Sequence, residues 1–561
     1  MVFWKLFNRL AIVTLLYIMS VGTAHAQINT ERMVNVGRSA LSMDDYALSI
    51  QYFSLAINSK PYLYEPYYYR GLAKFFLEDY IGAENDLTKA IDLNPYYPDS
   101  YQIRGLSRIN QKKFDSAAMD YEKATKMDPD NKSVWHNLII CDIQLDSLEK
   151  ADRVADSLLR KWPKYCDAYN MKAEICLKKN DEEGAEHNID RTLTIDRYNV
   201  PALSLKADMQ IKRMEYTEAE NTLTESIRLQ PKNVRNIINR ALCRYNLDNY
   251  LGTMKDYDMA IGLDSTNFIA HYNRGLLLAF VGDDNKAIED FNYILSVDPE
   301  DIMTVYNRAT LLDRTGDYRG AIRDYTHIIK EYPKFIQGYR LRAAARRKIG
   351  DLNGALRDEE HIIRENAAQQ YGYSTPTSQL HNKKMRRRKD IDLNDYQQLV
   401  IEDDKDAEPE YSSELRGKIQ NRHSDVRFLG IYALADFEIE MLGATSQAFN
   451  HFTRGVEYLI AKDYNTAILA FTESIRHQAN LAGAYYNRAY AYAMLEKYDQ
   501  AIADLGHAIE IRPTFAEAYF NRGIAHIFKA NATEQAVSDL SKAGELGIYS
   551  AYNIIKQQQK K

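Results

Sequence analysis

"AIEDFNYILSVDP" (residues 287–299) and "AIRDYTHIIKEYP" (residues 321–333) stand 34 residues apart and carry the same alanine, isoleucine, aspartate, aromatic residue, isoleucine and closing proline in register. Apolar residues in each recur at spacings of three and four, the period of a helix with one buried face. Proline ends such a helix, because it has no amide donor and its ring collides with the preceding turn. The same stop recurs outward along the chain: Pro61, Pro95, Pro129, Pro163, Pro231, Pro299 and Pro333 are all separated by 34 residues or twice that. A fixed period of this length marks a repeat architecture.

Counting back from these prolines divides residues 30–369 into ten consecutive units of 34. Position eight is small in nine of the ten (Gly37, Gly71, Gly105, Ala173, Ala207, Ala241, Gly275, Ala309 and Ala343), with Ile139 as the exception. Position twenty is alanine, serine or threonine throughout, from Ser49 to Ala355. Two amphipathic helices fit between the prolines, and small residues at these two positions let their backbones approach. Each unit is therefore predicted to be a helical hairpin. One hairpin cannot bury its own apolar face, so neighbours must stack into a solenoid.

The pattern resembles the tetratricopeptide repeat (TPR) family. The likeness returns after an interruption in units 448–481, 482–515 and 516–549, with Gly455, Ala489 and Gly523 at position eight and Pro513 closing the second. Thirteen repeats result, the last with one extra residue, and residues 550–561 read as a short capping helix and tail. The resemblance implies an all-α, right-handed superhelical solenoid that displays a concave surface lined by first helices. Such a protein is expected to be a non-enzymatic scaffold for protein or peptide partners.

A second regularity lies inside the first. Position seven is arginine in nine repeats, and position 23 is aspartate in eight. The pairs are Arg70 with Asp86, Arg104 with Asp120, Arg240 with Asp256, Arg274 with Asp290, Arg308 with Asp324, Arg342 with Asp358, Arg488 with Asp504, and Arg522 with Asp539. Where the aspartate is missing the arginine is missing too, Arg454 excepted. Matched absence favours a structural ion pair across the hairpin over an anion-binding track.

No phosphate loop, nucleophile elbow or His-Glu-x-x-His pair occurs, so neither catalysis, a cofactor nor a metal is expected. Four cysteines, Cys141, Cys166, Cys176 and Cys243, show no zinc spacing and read as free thiols, with a Cys141–Cys176 bridge as the alternative. Lys5 and Arg9 precede an apolar run from Leu10 to Val21, and Ala24 and Ala26 follow. This predicts a signal peptide over residues 1–26 and export to the periplasm or envelope, with no lipid-anchoring cysteine. No later run is apolar enough to span a membrane. The net charge of −6 disfavours nucleic acid as a partner.

On the implied concave face, position five supplies Tyr68, Tyr272, Tyr306, Tyr486 and Phe520, with Tyr490 nearby. These are candidate contact anchors, or else they pack on the next helix. Arg314, Arg340 and Arg347 predict a basic groove approaching the interruption. An alternative function is a glycan-binding, nutrient-uptake or secretion accessory that uses the groove aromatics. Residues 370–447 lack the repeat signature. They contain "KKMRRRK" from Lys383, an acidic run from Glu402, and two β-rich stretches, 395–404 and 425–439, that read as a small hairpin; a helix over 426–442 is the alternative.

Overall fold

The computed structural model describes residues 30–371, 426–430, 446–530 and 534–559. Across these residues the chain is twenty-seven helices and no strand. First helices, such as Tyr64–Phe76 and Pro98–Asn110, alternate with second helices, such as Tyr80–Leu93 and Phe114–Met127. Position-eight glycines sit where the two cross. A Cβ on Gly105 would come within 2.7 Å of the Tyr121 ring, and one on Gly455 within 2.6 Å of Phe471.

Two devices turn the chain between the helices of a repeat. Position fifteen takes a left-handed backbone, with φ between 54° and 62° at Asp44, Glu78, Lys112, Asp146, Asn180, Met214, Asp248, Lys462 and Glu496. Glycine supplies it at Gly282, Gly316 and Gly350. A side chain in that region costs about 1 kcal/mol. The next residue then caps the second helix: Asp45, Asp79, Asp181, Asn249, Asp317 and Asp463 each accept a backbone N–H three residues on.

The chain forms two compact units, Met1–Lys161 with Glu410–Lys561, and Trp162–Pro409. In the first, the last repeat seats on the earliest ones. Helix Glu534–Glu545 packs against Tyr80–Leu93 and Tyr46–Ser59. A single apolar cluster combines Tyr46, Phe76 and Leu87 with Ile524, Leu540 and Ile555. The C-terminal helix Ser550–Gln559 buries Ala551, Tyr552, Ile554 and Ile555, and Lys556 Nζ lies 3.1 Å from Glu78 Oε1. Lys74, which is 1% exposed, is held between Asp86 Oδ2 at 2.9 Å and Glu545 Oε1 at 2.6 Å. The second unit runs as stacked hairpins from Cys166–Lys178 to Leu352–Tyr371, each contributing a core cluster shared with its neighbour.

The basic run from Lys383, the acidic run and the predicted strand 395–404 lie outside the described residues, as does most of 425–439. Val426–Gly430 is in neither helix nor strand. All four cysteines are free thiols. Burial pushes the Cys141 thiol up to about 12.

Candidate functional site

The Arg–Asp pairs form in all eight repeats that carry them. In each, Nε and Nη2 of the arginine fork onto the two carboxylate oxygens, as in Arg70–Asp86 at 2.9 and 2.6 Å and Arg488–Asp504 at 2.7 and 2.7 Å. The third donor, Nη1, does something the sequence reading did not anticipate. It reaches back to position 25 of the preceding repeat: Ser54, Thr88, Thr224, Asp258, Asn292, Thr326 and Thr472 accept from Arg70, Arg104, Arg240, Arg274, Arg308, Arg342 and Arg488. One guanidinium thus ties three helices of two repeats. A second cation often shares the aspartate, as Arg108 does with Asp120 and Arg244 with Asp256. Arg454 is exposed and has no carboxylate partner among the described residues. These arginines are committed to structure and leave no track for a ligand.

The position-five aromatics are not exposed anchors. Tyr68, Tyr272, Tyr486 and Phe520 are buried, and Tyr306 and Tyr490 are half-buried. Stacking brings each first helix against the next, so the ring that points along the stack is covered: Tyr68 meets Tyr97 edge-on at 5.0 Å, and Tyr272 OH accepts from Asn307 of the next first helix at 3.1 Å. Burial raises the hydroxyl of Tyr272 to about 12. The basic groove is likewise largely neutralised. Arg314 pairs with Asp284, Arg347 with Glu359, and Lys348 with Asp313 at 2.9 Å. Arg340 is exposed, with no ion pair among the described residues.

What occupies the groove of repeats twelve and thirteen is the chain itself. Asn521, at position six, accepts the Leu429 N–H on Oδ1 at 2.7 Å and donates from Nδ2 to the Leu429 carbonyl at 3.2 Å. Tyr486 OH donates to the Gly430 carbonyl at 2.8 Å and accepts from Asn521 Nδ2 at 2.8 Å. Phe428 packs on the cluster that carries Tyr486 and Phe515 and on the cluster that carries Phe520 and Ile524, with its ring 5.5 Å from Phe528. One amide and one hydroxyl therefore hold the main chain of a segment that is in neither helix nor strand, while aromatic surface takes a side chain. Asparagine also stands at position six in Asn35, Asn137, Asn239, Asn273, Asn307 and Asn487; that period was the signal which could have found the clamp.

Family models described as tetratricopeptide repeat match residues 98–131, 304–334 and 482–515. This is a tetratricopeptide-repeat protein. Its matched segments coincide with repeats three, nine and twelve of the 34-residue register. No curated protein matches the sequence. Among solved structures it is similar to a TPR protein from Parabacteroides merdae, at 19% identity over 44% of this chain and 98% of that one, TM-score 0.36. It is also similar to YrrB, titled a TPR protein with an unusual peptide-binding site, at 17% identity over 33% and 96%, TM-score 0.31. The Cut9–Hcn1 hetero-tetramer matches at 12% identity over 96% and 98%, TM-score 0.32. The TPR array makes the chain a protein-interaction scaffold. Among the described residues no metal-ligating cluster converges, and no helix is long and apolar enough to cross a membrane.

Proposed function

We propose that this TPR protein is an exported, non-enzymatic scaffold that captures partner proteins as extended segments laid along its first helices, in the periplasm or cell envelope. The observation that carries the reading is the Asn521–Tyr486 clamp on the backbone of Leu429 and Gly430. Backbone amides and carbonyls are common to every extended peptide, so a clamp of this kind gives affinity while flanking side chains give selection. Stacked hairpins present it preformed, which spares most of the ordering cost on the scaffold side. Export rests on the Lys5, Arg9 and Leu10–Val21 pattern with small residues at Ala24 and Ala26.

Crosslinking in the native cell envelope, followed by mass spectrometry, tests this reading. Specific protein partners are expected with the wild-type chain, fewer with N521A and with R340E, and the helical circular dichroism of both variants should be unchanged. Enrichment of nothing above a control lacking the chain would overturn it. A mature N-terminus at residue 27 is expected from N-terminal sequencing, and retention of residues 1–26 on a cytoplasmic protein would remove the location.

A further inference from the structure

We infer that the groove of repeats twelve and thirteen is an exchangeable site for extended peptides that present an aromatic residue, a large aliphatic residue and a glycine in succession, and that Val426–Gly430 occupies it as an internal competitor. The inference rests on the scaffold reading and specifies its ligand. The occupant defines the chemistry. Phe428 and Leu429 are half-buried, Arg427 and Gly430 are exposed, and three hydrogen bonds from the groove go to main-chain atoms of Leu429 and Gly430. None of those three bonds reads a side chain, so a foreign segment with the same apolar pair can replace them all.

The groove also stands without its occupant. In the other unit, Asn307 Nδ2 donates to Tyr272 OH at 3.1 Å, with the same 35-residue separation as Asn521 and Tyr486. That pair forms with no such segment on it among the described residues. Beneath the clamp, Phe515, Ala518, Ile524 and Leu505 pack into clusters built from the repeats themselves. Removing the segment therefore frees an amide and a hydroxyl on a surface that is already formed.

A tethered competitor acts at an effective concentration on the order of millimolar, and apparent affinity falls by the fraction of sites left open. The test is fluorescence anisotropy with a fluorescein-labelled synthetic peptide spanning residues 424–432. The F428D chain, whose internal segment has lost its anchor, is expected to bind it about tenfold or more tightly than wild type. Adding N521A to F428D should abolish the gain, and an unlabelled peptide with aspartate in place of the phenylalanine should fail to compete. Equal binding by wild type and folded F428D overturns the proposal, as does a gain that survives N521A.

Should F428D not fold, wild type answers the question by hydrogen exchange. Saturating peptide is expected to speed exchange of the Leu429 amide, and unchanged protection in its presence refutes exchangeability. If envelope partners are captured equally by wild type and N521A while the peptide binds neither chain, this groove is a structural strap and the scaffold reading stands.

Discussion

Replacing Asp256 with asparagine is expected to cost the second unit about 3–5 kcal/mol, several times the worth of an exposed ion pair. Asp256 is 1% exposed on its side chain and accepts Arg240 Nε and Nη2 at 2.9 and 2.7 Å and Arg244 Nη1 at 2.9 Å. The two arginines do not suffer equally. Arg244 is closer to solvent and keeps Glu220 at 2.8 Å. Among the described residues Arg240 keeps only Thr224 Oγ1 at 3.4 Å, so most of the loss is one guanidinium left buried without its counter-charge. If that is the cause, removing both charges should cost far less. R240M combined with D256L is expected within about 2 kcal/mol of wild type.

An array of hairpins does not unfold as one two-state body, so the assay is amide exchange read locally over Val234–Asn246 and Tyr250–Leu263. D256N should speed exchange there by about a hundredfold to a few thousandfold, since each 1.4 kcal/mol is about a factor of ten. R454A is the control and should stay within about 0.5 kcal/mol of wild type. A double variant as costly as D256N would refute the stranded-charge argument. A single variant that changes exchange less than tenfold would show that the ladder does not hold the hairpins.

Burial pushes the Asp79 carboxyl up to about 6, while Lys74 and the Gly82 amide pull the other way. The folded unit therefore keeps a proton between about pH 4 and 6 that the unfolded chain releases, and its stability falls as pH rises through that window and levels above it. D79N retains the helix cap and should flatten this slope in thermal melts from pH 4 to 7; a wild-type stability that rises with pH across the window would refute the assignment. Glu545 acts below that range, because Lys74 and Arg70 outweigh its burial and hold it well below the usual carboxylate value. Met214 is 75% exposed at φ 60°, and M214G should stabilise its repeat by about 0.5–1 kcal/mol, read as reduced local exchange. Gly506 occupies position 25, where other repeats offer Arg an oxygen, and a Cβ there would meet only Arg522 Nη1 at 3.7 Å. G506S supplies the missing acceptor and improves helix propensity, for a gain of about 1 kcal/mol; destabilisation would show that the third donor is not part of the tie.

The hairpins were legible because their determinants repeat. A Cβ on Gly105 or Gly455 would meet Tyr121 or Phe471 at under 3 Å, so neither glycine can be replaced without moving a ring, position eight stays small and the register shows. Arg–Asp pairing was legible for a related reason: each partner is buried only because the other is present, so both come and go together. Position fifteen escaped notice because its constraint lies in the backbone. Nine different placements of Asp, Glu, Lys, Asn and Met bear one φ, and no composition rule separates them from ordinary turn residues.

The site was less legible because reading one helix face at a time omits what the neighbouring helix brings. Arg314 and Arg347 counted as free charge until Asp284 and Glu359 were placed beside them. The position-five rings read equally as exposed anchors or as packing on the next first helix, and stacking decides for the second because it covers the residues pointing along the stack. Once those rings are covered, Asn521 can take the Leu429 amide and carbonyl in a rigid setting, with Tyr486 fixed beside it by burial and by a 2.8 Å bond. On the proposed reading, recognition falls to Asn521, one position along from the aromatic register, and Tyr486 serves to hold it still. That division of labour makes a direct comparison possible: Y486F removes the hydroxyl that reaches Gly430 but keeps the ring, so it should weaken peptide capture by the F428D chain severalfold while leaving local exchange of Ala482–Met494 unchanged. Loss of capture together with loss of protection would instead make the ring, and not the hydroxyl, the feature that matters.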